Sequence, residues 1–347
     1  MRRLLALCLA LALAWGSALA APHEGVARIV SDRLPIGQAQ AALQLSTDWD
    51  RPHPEIRRAL VIVHGRLRNA ATYFRSGETA TAAAGATADT LVIAPQFLNE
   101  ADIQRHRLPD TLLRWQGNAW MGGEPALGPQ PLSSFAVFDT LLARLAERRL
   151  LPNLQEVVIA GHSGGGQVVQ RYAVLGQGEQ ALAAQGIRLR YVVANPSSYA
   201  YFDARRPDAQ GQPVPFAAAS SCPDFDTWKY GMQGLPAYAA GRTAASLEDH
   251  YAGLDLTYLL GAEDTNPNHP ALDKGCAAEA QGPYRLARGL NYYRYLQGRH
   301  PGLRQALVEV PGVGHNGDAI FTSPAGRQAL FGAGDQASAR QGGGRVQ

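Results

Sequence analysis

The sequence predicts an α/β protein in which a mostly parallel sheet is covered by helices on both faces. Short apolar runs rich in β-branched residues, bounded by Gly, Pro or Asn, alternate with longer segments of helical periodicity. This alternation is typical of parallel strands, which need a crossover helix between them and are buried on both faces. The strand candidates are residues 59–65, 89–97, 156–161, 189–196, 254–261 and 306–314.

Helical segments lie between and after these strands. In residues 133–149 the apolar side chains fall on one stripe at helical spacing, and Ser133 or Ser134 can cap the start of the helix. Further helices are predicted over residues 167–175, 282–298 and 325–331. In open sheets of this kind, ligands bind at the carboxyl ends of the strands. Functional residues are therefore expected in the segments that directly follow strands.

Two segments interrupt the alternation of strands and helices. Residues 98–132 contain Trp115 and Trp120 among Gly and Pro, and residues 197–250 are rich in Tyr, Phe and Trp. Long loops without regular structure are uncommon unless functional or disordered, and aromatic residues argue against disorder. We therefore expect cap-like insertions over the site, with ordinary surface loops as the alternative. The side chains expected to line an apolar substrate pocket are Trp115, Trp120, Tyr199 and Trp228.

Residues 1–20 have the pattern of a secretory signal peptide. Two arginines precede an unbroken apolar stretch, which ends in small residues with Ala18 and Ala20 at −3 and −1 of a cleavage site. A membrane anchor is the alternative, but the apolar stretch is short for a spanning helix. The pattern predicts a periplasmic or secreted protein, cleaved near Ala20 and without a stable membrane anchor. Residues 21–331 would form one domain, and residues 332–347 a flexible tail.

Two cysteines, Cys222 and Cys276, follow the predicted signal peptide. An exported protein with two cysteines most simply forms one disulfide, because its compartment is oxidising. We therefore predict a bridge between Cys222 and Cys276, with two free thiols as the alternative.

The segment Gly161-His162-Ser163-Gly164-Gly165 matches G-x-S-x-G, the nucleophile elbow. Such a turn strains the backbone at the serine, so the residues two positions away on either side, Gly161 and Gly165, must be very small. The short pattern alone is weak, but an apolar strand precedes it directly and a helical pattern follows it. Ser163 is therefore predicted to be a nucleophile, and the side chain of His162 is expected to point away from the direction of attack.

A serine hydroxyl is a poor nucleophile near neutral pH and needs a base. His315 directly follows the last predicted strand. When the catalytic residues occur along the chain in the order serine, acid, histidine, the histidine base lies in this position. The carboxylate that orients this base is predicted to be Asp264, three residues past the end of strand 254–261, with Glu263 and Asp203 as competitors.

An oxyanion that develops during attack needs backbone N–H donors held in place beforehand. One predicted donor is Gly164, the residue after the nucleophile. The second is expected from the loop after strand 59–65, at Arg66 with Gly65 adjacent. The alternative for His64-Gly65 is a simple turn that ends the strand.

The order strand-HG, strand-GxSxG-helix, strand-GxxD and strand-GxGH resembles that of the α/β-hydrolase superfamily over essentially the whole chain after residue 20. The strings GHSGGGQVVQRYA, NPSSYAYF, WKYG and VGHNGDAIF resemble a group of exported, poorly characterised bacterial and fungal serine hydrolases. The resemblance implies hydrolysis through an acyl-enzyme, usually of esters. It implies a triad of Ser163, Asp264 and His315, with Arg66 and Gly164 as oxyanion donors. One departure is the first donor loop, which reads HGRLRN instead of the HGGG motif of lipases and esterases.

Composition and motifs argue against other classes of function. Hydrophobic residues make up 46% of the chain and charged residues 18%, as in globular proteins. The net charge of +3 is spread without a basic block, so no nucleic-acid surface is predicted. The histidines are dispersed, and the chain has neither a P-loop nor a dinucleotide fingerprint, so no metal or cofactor is expected.

The predicted function is hydrolysis of a small-molecule or polymeric carboxylic ester by an exported serine hydrolase. A peptidase or amidase is one alternative, because it uses the same triad on a more resistant bond. A non-catalytic binding protein on a hydrolase fold is the alternative from a different class, since a fold does not by itself imply a function.

Overall fold

The computed structural model describes residues 25–332, and a twisted eight-stranded sheet runs through it in the order β1-β2-β4-β3-β7-β8-β11-β12. Its strands are β1 (Asp32–Ile36), β2 (Ala39–Leu45), β3 (Arg58–Val63), β4 (Thr90–Gln96), β7 (Glu156–His162), β8 (Arg188–Ala194), β11 (Leu256–Gly261) and β12 (Ala306–Val310). From β4 to β12 all neighbours pair in parallel, whereas β1 and β2 are antiparallel. Two further sheets of two strands each are separate from the main sheet. One pairs β5 (Leu98–Asn99) with β6 (Arg114–Trp115), and the other pairs β9 (Arg205–Pro207) with β10 (Pro213–Pro215).

Helices cover both faces of the sheet. They are α1 (Ala70–Ala83), α2 (Glu100–His106), α3 (Ser134–Leu145), α4 (Gly164–Leu175), α5 (Glu179–Ala183), α6 (Ala244–Gly253), α7 (Cys276–Glu279), α8 (Arg285–Arg299), α9 (Gly317–Thr322) and α10 (Pro324–Phe331). Short 3-10 turns lie at Ala119–Gly122, Ala219–Ser221, Pro223–Asp226 and Ala237–Ala239.

Alternate residues of the central strands enter two separate hydrophobic cores. In β3, Val61 belongs to the core that includes side chains of α3, α4 and α8, whereas Leu60 and Ile62 belong to the core that includes side chains of α1, α9 and α10. This alternation follows from the two-residue period of a strand. It confirms the predicted fold class, a mostly parallel sheet with helices on both faces.

The six predicted strands and four predicted helices are present, with ends shifted by a few residues. Ser133 caps α3 by accepting a hydrogen bond from the N–H of Phe135. The sequence did not reveal β1, β2 or α1. Strand β1 carries Pro35 and lies at the edge of the sheet, and α1 has small and polar residues in place of a clear apolar stripe. Within α1, a Cβ added at Gly77 would lie only 3.0 Å from Cγ1 of Val92 in β4, so the small residues allow close packing on the sheet.

The predicted disulfide is confirmed. Cys222 and Cys276 are bonded, with their Cα atoms 5.8 Å apart, and a small cluster with Phe225 and Ala277 surrounds the bridge. The bond ties the aromatic segment 197–250 to the chain that follows Asp264. A disulfide fits an oxidising compartment.

Two predictions concern residues at the chain ends. The signal peptide at residues 1–20 lies outside the described residues, as do residues 333–347 of the predicted tail. Between residues 25 and 332, no helix has both the length and the apolar character that crossing a bilayer requires.

Candidate active site

Ser163 stands at the turn between β7 and α4, in a strained backbone conformation with φ 59° and ψ −119°. An L-residue adopts such a positive φ only where its surroundings enforce it. The neighbouring glycines make the turn possible. A Cβ at Gly161 would lie 2.3 Å from the carbonyl oxygen of Gly165, and a Cβ at Gly165 would lie 2.2 Å from that of Val63. The local geometry is therefore that of a nucleophile elbow.

A continuous hydrogen-bonded chain joins the three residues that the sequence placed past separate strand ends. Nε2 of His315 lies 3.0 Å from Oγ of Ser163, and Nδ1 of His315 lies 2.7 Å from Oδ2 of Asp264. The supporting strands β7, β11 and β12 are parallel and end at the same edge of the sheet. The arrangement is that of a serine, an imidazole base and a carboxylate that fixes the orientation of the base.

The two competing carboxylates lie elsewhere. Glu263 is exposed to solvent, whereas Asp264 is buried. Asp203 accepts hydrogen bonds from the N–H of Arg205 and pairs with Arg299 at the surface. Of the three carboxylates considered, Asp264 is the one that contacts His315.

The sequence did not reveal Arg285, the first residue of α8, which lies beside Asp264. Its Nη1 is 3.4 Å from Oδ1 of Asp264, and its Nε donates to Oγ of Ser197 at 3.0 Å. Both Arg285 and Asp264 are almost completely buried. Burial lowers the pKa of His315, and the charge of Arg285 lowers it further, whereas the hydrogen bond that His315 donates to Asp264 raises it. No short motif marks such a contact, because the arginine is distant from Asp264 in sequence.

The contact with Arg285 predicts a pH effect. A general base must be unprotonated, so activity should rise with pH as His315 loses its proton. Removing the charge of Arg285 raises the pKa of His315, and Arg285→Gln should therefore shift the acidic limb of kcat/KM to higher pH. Arg285→Lys, which keeps the positive charge, should shift it less. If a folded Arg285→Gln protein had the same acidic limb of kcat/KM as the wild type, the proposed effect of Arg285 on the pKa of His315 would be contradicted.

Two further histidines pack on the imidazole of His315. The ring of His162 lies 4.5 Å from it, and the ring of His269 lies 4.9 Å from it. Burial holds the pKa of His162 well below its usual range, so this ring stays neutral. It shares a hydrogen bond of 2.9 Å with Oη of Tyr73. The prediction for His162 was only that its side chain points away from the direction of attack, and the contact of its ring with His315 was not predicted.

The predicted oxyanion donors lie next to one another beside Ser163. Gly164 is the first residue of α4, so its N–H has no partner within the helix. A Cβ on Gly164 would lie 2.8 Å from the backbone nitrogen of Arg66 and 2.8 Å from Sδ of Met121. Only glycine at position 164 therefore allows the backbone of Arg66 and the side chain of Met121 to come this close.

His64 fixes the loop that carries the N–H of Arg66. Its Nε2 accepts a hydrogen bond from the N–H of Phe97 at 2.9 Å, so Nδ1 carries the proton and donates to the carbonyl of Gly65 at 2.8 Å. Burial lowers the pKa of His64 to about 4, which keeps the ring neutral in this arrangement. The His64-Gly65 turn is thus a rigid support for the loop.

Two cavities flank Ser163. The first, here called the His315-side cavity, has a volume of about 440 Å³ and is lined by His315, His162, Tyr73 and other residues. The second, here called the Lys229-side cavity, has a volume of about 340 Å³. Its lining includes Lys229 and Gln167, together with Asn118 and Met121 from the segment 98–132. Both irregular segments therefore contribute to the surroundings of Ser163.

The four aromatic side chains predicted to line a substrate pocket lie in the core, whereas Tyr230 of the segment 197–250 lines the Lys229-side cavity. Trp115, Trp120 and Tyr199 are fully buried in the hydrophobic core, and Trp228 is nearly so. Trp120 stacks on Phe97, and Nε1 of Trp228 donates to the carbonyl of Gly122 at 2.6 Å. None of the four lines either cavity at Ser163. Their rings hold the irregular segments onto the core instead of facing a ligand.

Among residues 25–332, no cluster of three or more His, Cys, Asp and Glu side chains could hold a metal ion. The polar side chains near Ser163 are those of His315 and Asp264, which form the hydrogen-bonded chain, and those that line the two cavities.

Comparison with solved structures identifies the fold. No protein-family model matches the chain, and no curated protein matches it. The poly(3-hydroxybutyrate) depolymerase LpqC from Bordetella parapertussis is 22% identical with a TM-score of 0.60, over 90% of this chain and 95% of that one. Poly(aspartic acid) hydrolase-1 from Sphingomonas sp. KT-1 is 22% identical with a TM-score of 0.59, over 89% of this chain and 99% of that one. The chain has the α/β-hydrolase fold.

Proposed function

We propose that the protein is a serine hydrolase that cleaves carboxylic esters through an acyl-enzyme. The observation that carries this proposal is the hydrogen-bonded chain from Ser163 through His315 to Asp264, next to the backbone N–H groups of Gly164 and Arg66. Acyl transfer requires a nucleophile, a base, an orienting carboxylate and an oxyanion site, and these residues support the proposal because each of them suits one of the four roles. The proposed setting is the periplasm or the extracellular space, in line with the disulfide.

In the proposed acylation step, His315 removes the proton of the Ser163 hydroxyl as Oγ attacks the ester carbonyl carbon. The carbonyl oxygen becomes an oxyanion that accepts hydrogen bonds from the N–H groups of Gly164 and Arg66. As the tetrahedral intermediate collapses, the bond to the alkoxy oxygen breaks, and His315 returns the proton to that oxygen. An alcohol leaves, and the acyl group remains on Ser163.

Deacylation repeats these steps with water as the nucleophile. His315 takes a proton from water, hydroxide attacks the acyl carbon, and the same two N–H groups stabilise the new oxyanion. The intermediate then releases Oγ of Ser163, which regains a proton from His315, and the carboxylic acid departs. Asp264 accepts the hydrogen bond from Nδ1 of His315 and stabilises the imidazolium that forms twice in each cycle.

The position of His315 supports a proposal for where the two parts of the substrate bind. His315 must protonate the leaving alcohol, and it lines the first cavity but not the second. We therefore place the alcohol part in the His315-side cavity and the acyl part in the Lys229-side cavity. The two solved structures described above are named as enzymes that act on polymers, so we propose a polymeric ester as well as a small one.

The proposal predicts that the purified protein hydrolyses aryl esters and is labelled by a fluorophosphonate at Ser163. Peptide mass spectrometry should locate the phosphonate on Ser163, and hydrolysis should fall as labelling increases. Heat-denatured protein serves as the control, since an unfolded serine has no base. A folded protein that shows neither hydrolysis nor labelling would favour a non-catalytic binding function instead.

A further inference from the structure

The chain contains only two lysines among its 32 lysine and arginine residues. These lysines, Lys229 and Lys274, both line the Lys229-side cavity. Elsewhere the basic residues are arginines, so ammonium groups are concentrated at one place. This place is the cavity that the proposed mechanism assigns to the acyl part of the substrate.

The two lysines differ in how their charges are satisfied. Lys274 forms an ion pair with Glu279 and donates to the carbonyl of Pro267. In the described part of the chain, Nζ of Lys229 has neither a hydrogen bond nor an ion pair; it lies 5.7 Å from the centre of the Tyr230 ring. The nearby carboxylate of Asp273 accepts hydrogen bonds from Tyr230 Oη and from the N–H of Gly275. The ammonium of Lys229 is therefore available to an anion.

Buried contacts hold Lys229 in place. Its carbonyl oxygen accepts a hydrogen bond from Nε of Arg171, which is completely buried. The preceding residue, Trp228, is anchored by its own hydrogen bond to Gly122. Because the backbone at Lys229 is fixed before a ligand arrives, little ordering is needed on binding.

A second donor in the same cavity is fixed by the same arginine. Oε1 of Gln167 accepts hydrogen bonds from Nη2 of Arg171 at 3.1 Å and from Oγ of Ser198 at 3.0 Å. These two bonds set the orientation of the amide and leave its Nε2 hydrogens for a ligand. Gln167 and Lys229 thus offer donors to the cavity, and a carboxylate is an acceptor-only group that matches them.

We propose that the Lys229-side cavity binds a carboxylate carried by the acyl part of the substrate, held by Nζ of Lys229 and Nε2 of Gln167. This proposal rests on the proposed function, because it takes the acyl side from the position of His315. The substrate would then be a half-ester of a dicarboxylic acid, or a polymer with free carboxylates along its acyl units.

A kinetic comparison of two matched sets of esters tests the proposal. The first set comprises aryl half-esters of glutaric, adipic and suberic acid, and the second has a carboxamide in place of each free carboxylate. We expect the wild type to prefer the best half-ester by about 10- to 100-fold in kcat/KM, as one charge-assisted hydrogen bond would give. Lys229→Gln should remove this preference, because it should lower kcat/KM for the half-ester far more than kcat/KM for the carboxamide ester, whose neutral amide has no charge for the ammonium to pair with.

Lys274→Gln is the matched control, because it removes the other ammonium near the cavity. Since Glu279 already neutralises Lys274, the control should preserve most of the preference for the half-ester. Equal loss on both esters in Lys229→Gln would show a structural role for Lys229 and overturn the proposal. A wild type that hydrolyses both esters equally well would also overturn it while leaving the proposed function intact.

A binding measurement separates failure of this proposal from failure of the proposed function. In the Ser163→Ala protein, which needs no turnover, acetic anhydride can modify only Lys229, Lys274 and the amino terminus among the amines. We expect free glutarate or adipate to protect Lys229 from acetylation, as mapped by peptide mass spectrometry, and the corresponding diamide to give no protection. Acetylation of Lys229 that is unaffected by the dicarboxylates would overturn the proposal, whether or not the wild type hydrolyses esters.

The pH dependence gives a further readout. Burial and, to a smaller extent, the charge of Arg171 lower the pKa of Lys229 to about 8, against the opposing charges of Asp273 and Glu124. The protonated ammonium binds the carboxylate, so the preference for the half-ester should fall as the pH rises past about 8. A preference that stays constant across this range would contradict the role of Lys229.

Discussion

Replacing Ser163 by alanine is expected to lower kcat for an aryl ester by about 10⁴- to 10⁶-fold. The substitution removes the atom that attacks the substrate while leaving the oxyanion site and both cavities in place. Any residual hydrolysis would come from attack by water on substrate that is held by the oxyanion site and the two cavities. Initial rates with wild type and variant, corrected for the uncatalysed reaction, measure the effect.

The companion variant His315→Ala tests whether Ser163 and His315 act as one unit. Since each depends on the other for acyl transfer, the double variant should be about as slow as the slower single variant. Thermal unfolding should remain close to that of the wild type for Ser163→Ala, because the change deletes one hydroxyl. A Ser163→Ala protein that keeps a tenth of the wild-type rate would show that the nucleophile is another group.

The sequence was sufficient to predict the placement of the site, because three local signals coincide with the physics of parallel sheets. Ser163, Asp264 and His315 each follow a short apolar strand, and the carboxyl ends of parallel strands meet at one edge. The elbow glycines could be predicted because a strained turn tolerates no Cβ, and the structure shows the two clashes. That these residues perform catalysis stays a prediction until the kinetic measurements are made.

Other parts of the site depend on long-range packing that no local pattern encodes. Arg285 reaches Asp264 from a helix that begins after a long irregular segment, and His162 packs on His315 across the sheet edge. The sequence shows how many aromatic residues the irregular segments contain, but it does not show whether their rings face the core or the cavities. Tyr199 stacks on Tyr292 inside the core, because large apolar rings stabilise a long segment best when they are buried.

Lys229 is an example of a sequence feature that can be interpreted only with the fold. The scarcity of lysine is visible from the composition, yet it becomes informative only when the fold brings Lys229 and Lys274 to one cavity. Gln167 is similar, since its position in the first turns of α4 is predictable, whereas the orientation of its amide depends on Arg171 and Ser198.

Replacing Asp264 by asparagine is expected to lower kcat by about 10⁴-fold, because an amide cannot hold the imidazole in the required tautomer or stabilise the imidazolium. In this protein the same change has a second consequence. The buried guanidinium of Arg285 loses its counter-ion, so the thermal unfolding midpoint should fall as well. Initial rates and a melting curve on the same preparation measure the two effects.

The double variant Asp264→Asn with Arg285→Gln separates these effects. Removing the unpaired charge should recover part of the lost thermal stability, whereas the rate should remain low because His315 still lacks its carboxylate. Glu263→Gln and Asp203→Asn are the matched controls, since both carboxylates lie outside the site. They should stay within about threefold of the wild-type rate, as surface changes generally have small effects. If Glu263→Gln or Asp203→Asn were instead as slow as Asp264→Asn, the assignment of the orienting carboxylate would have to change.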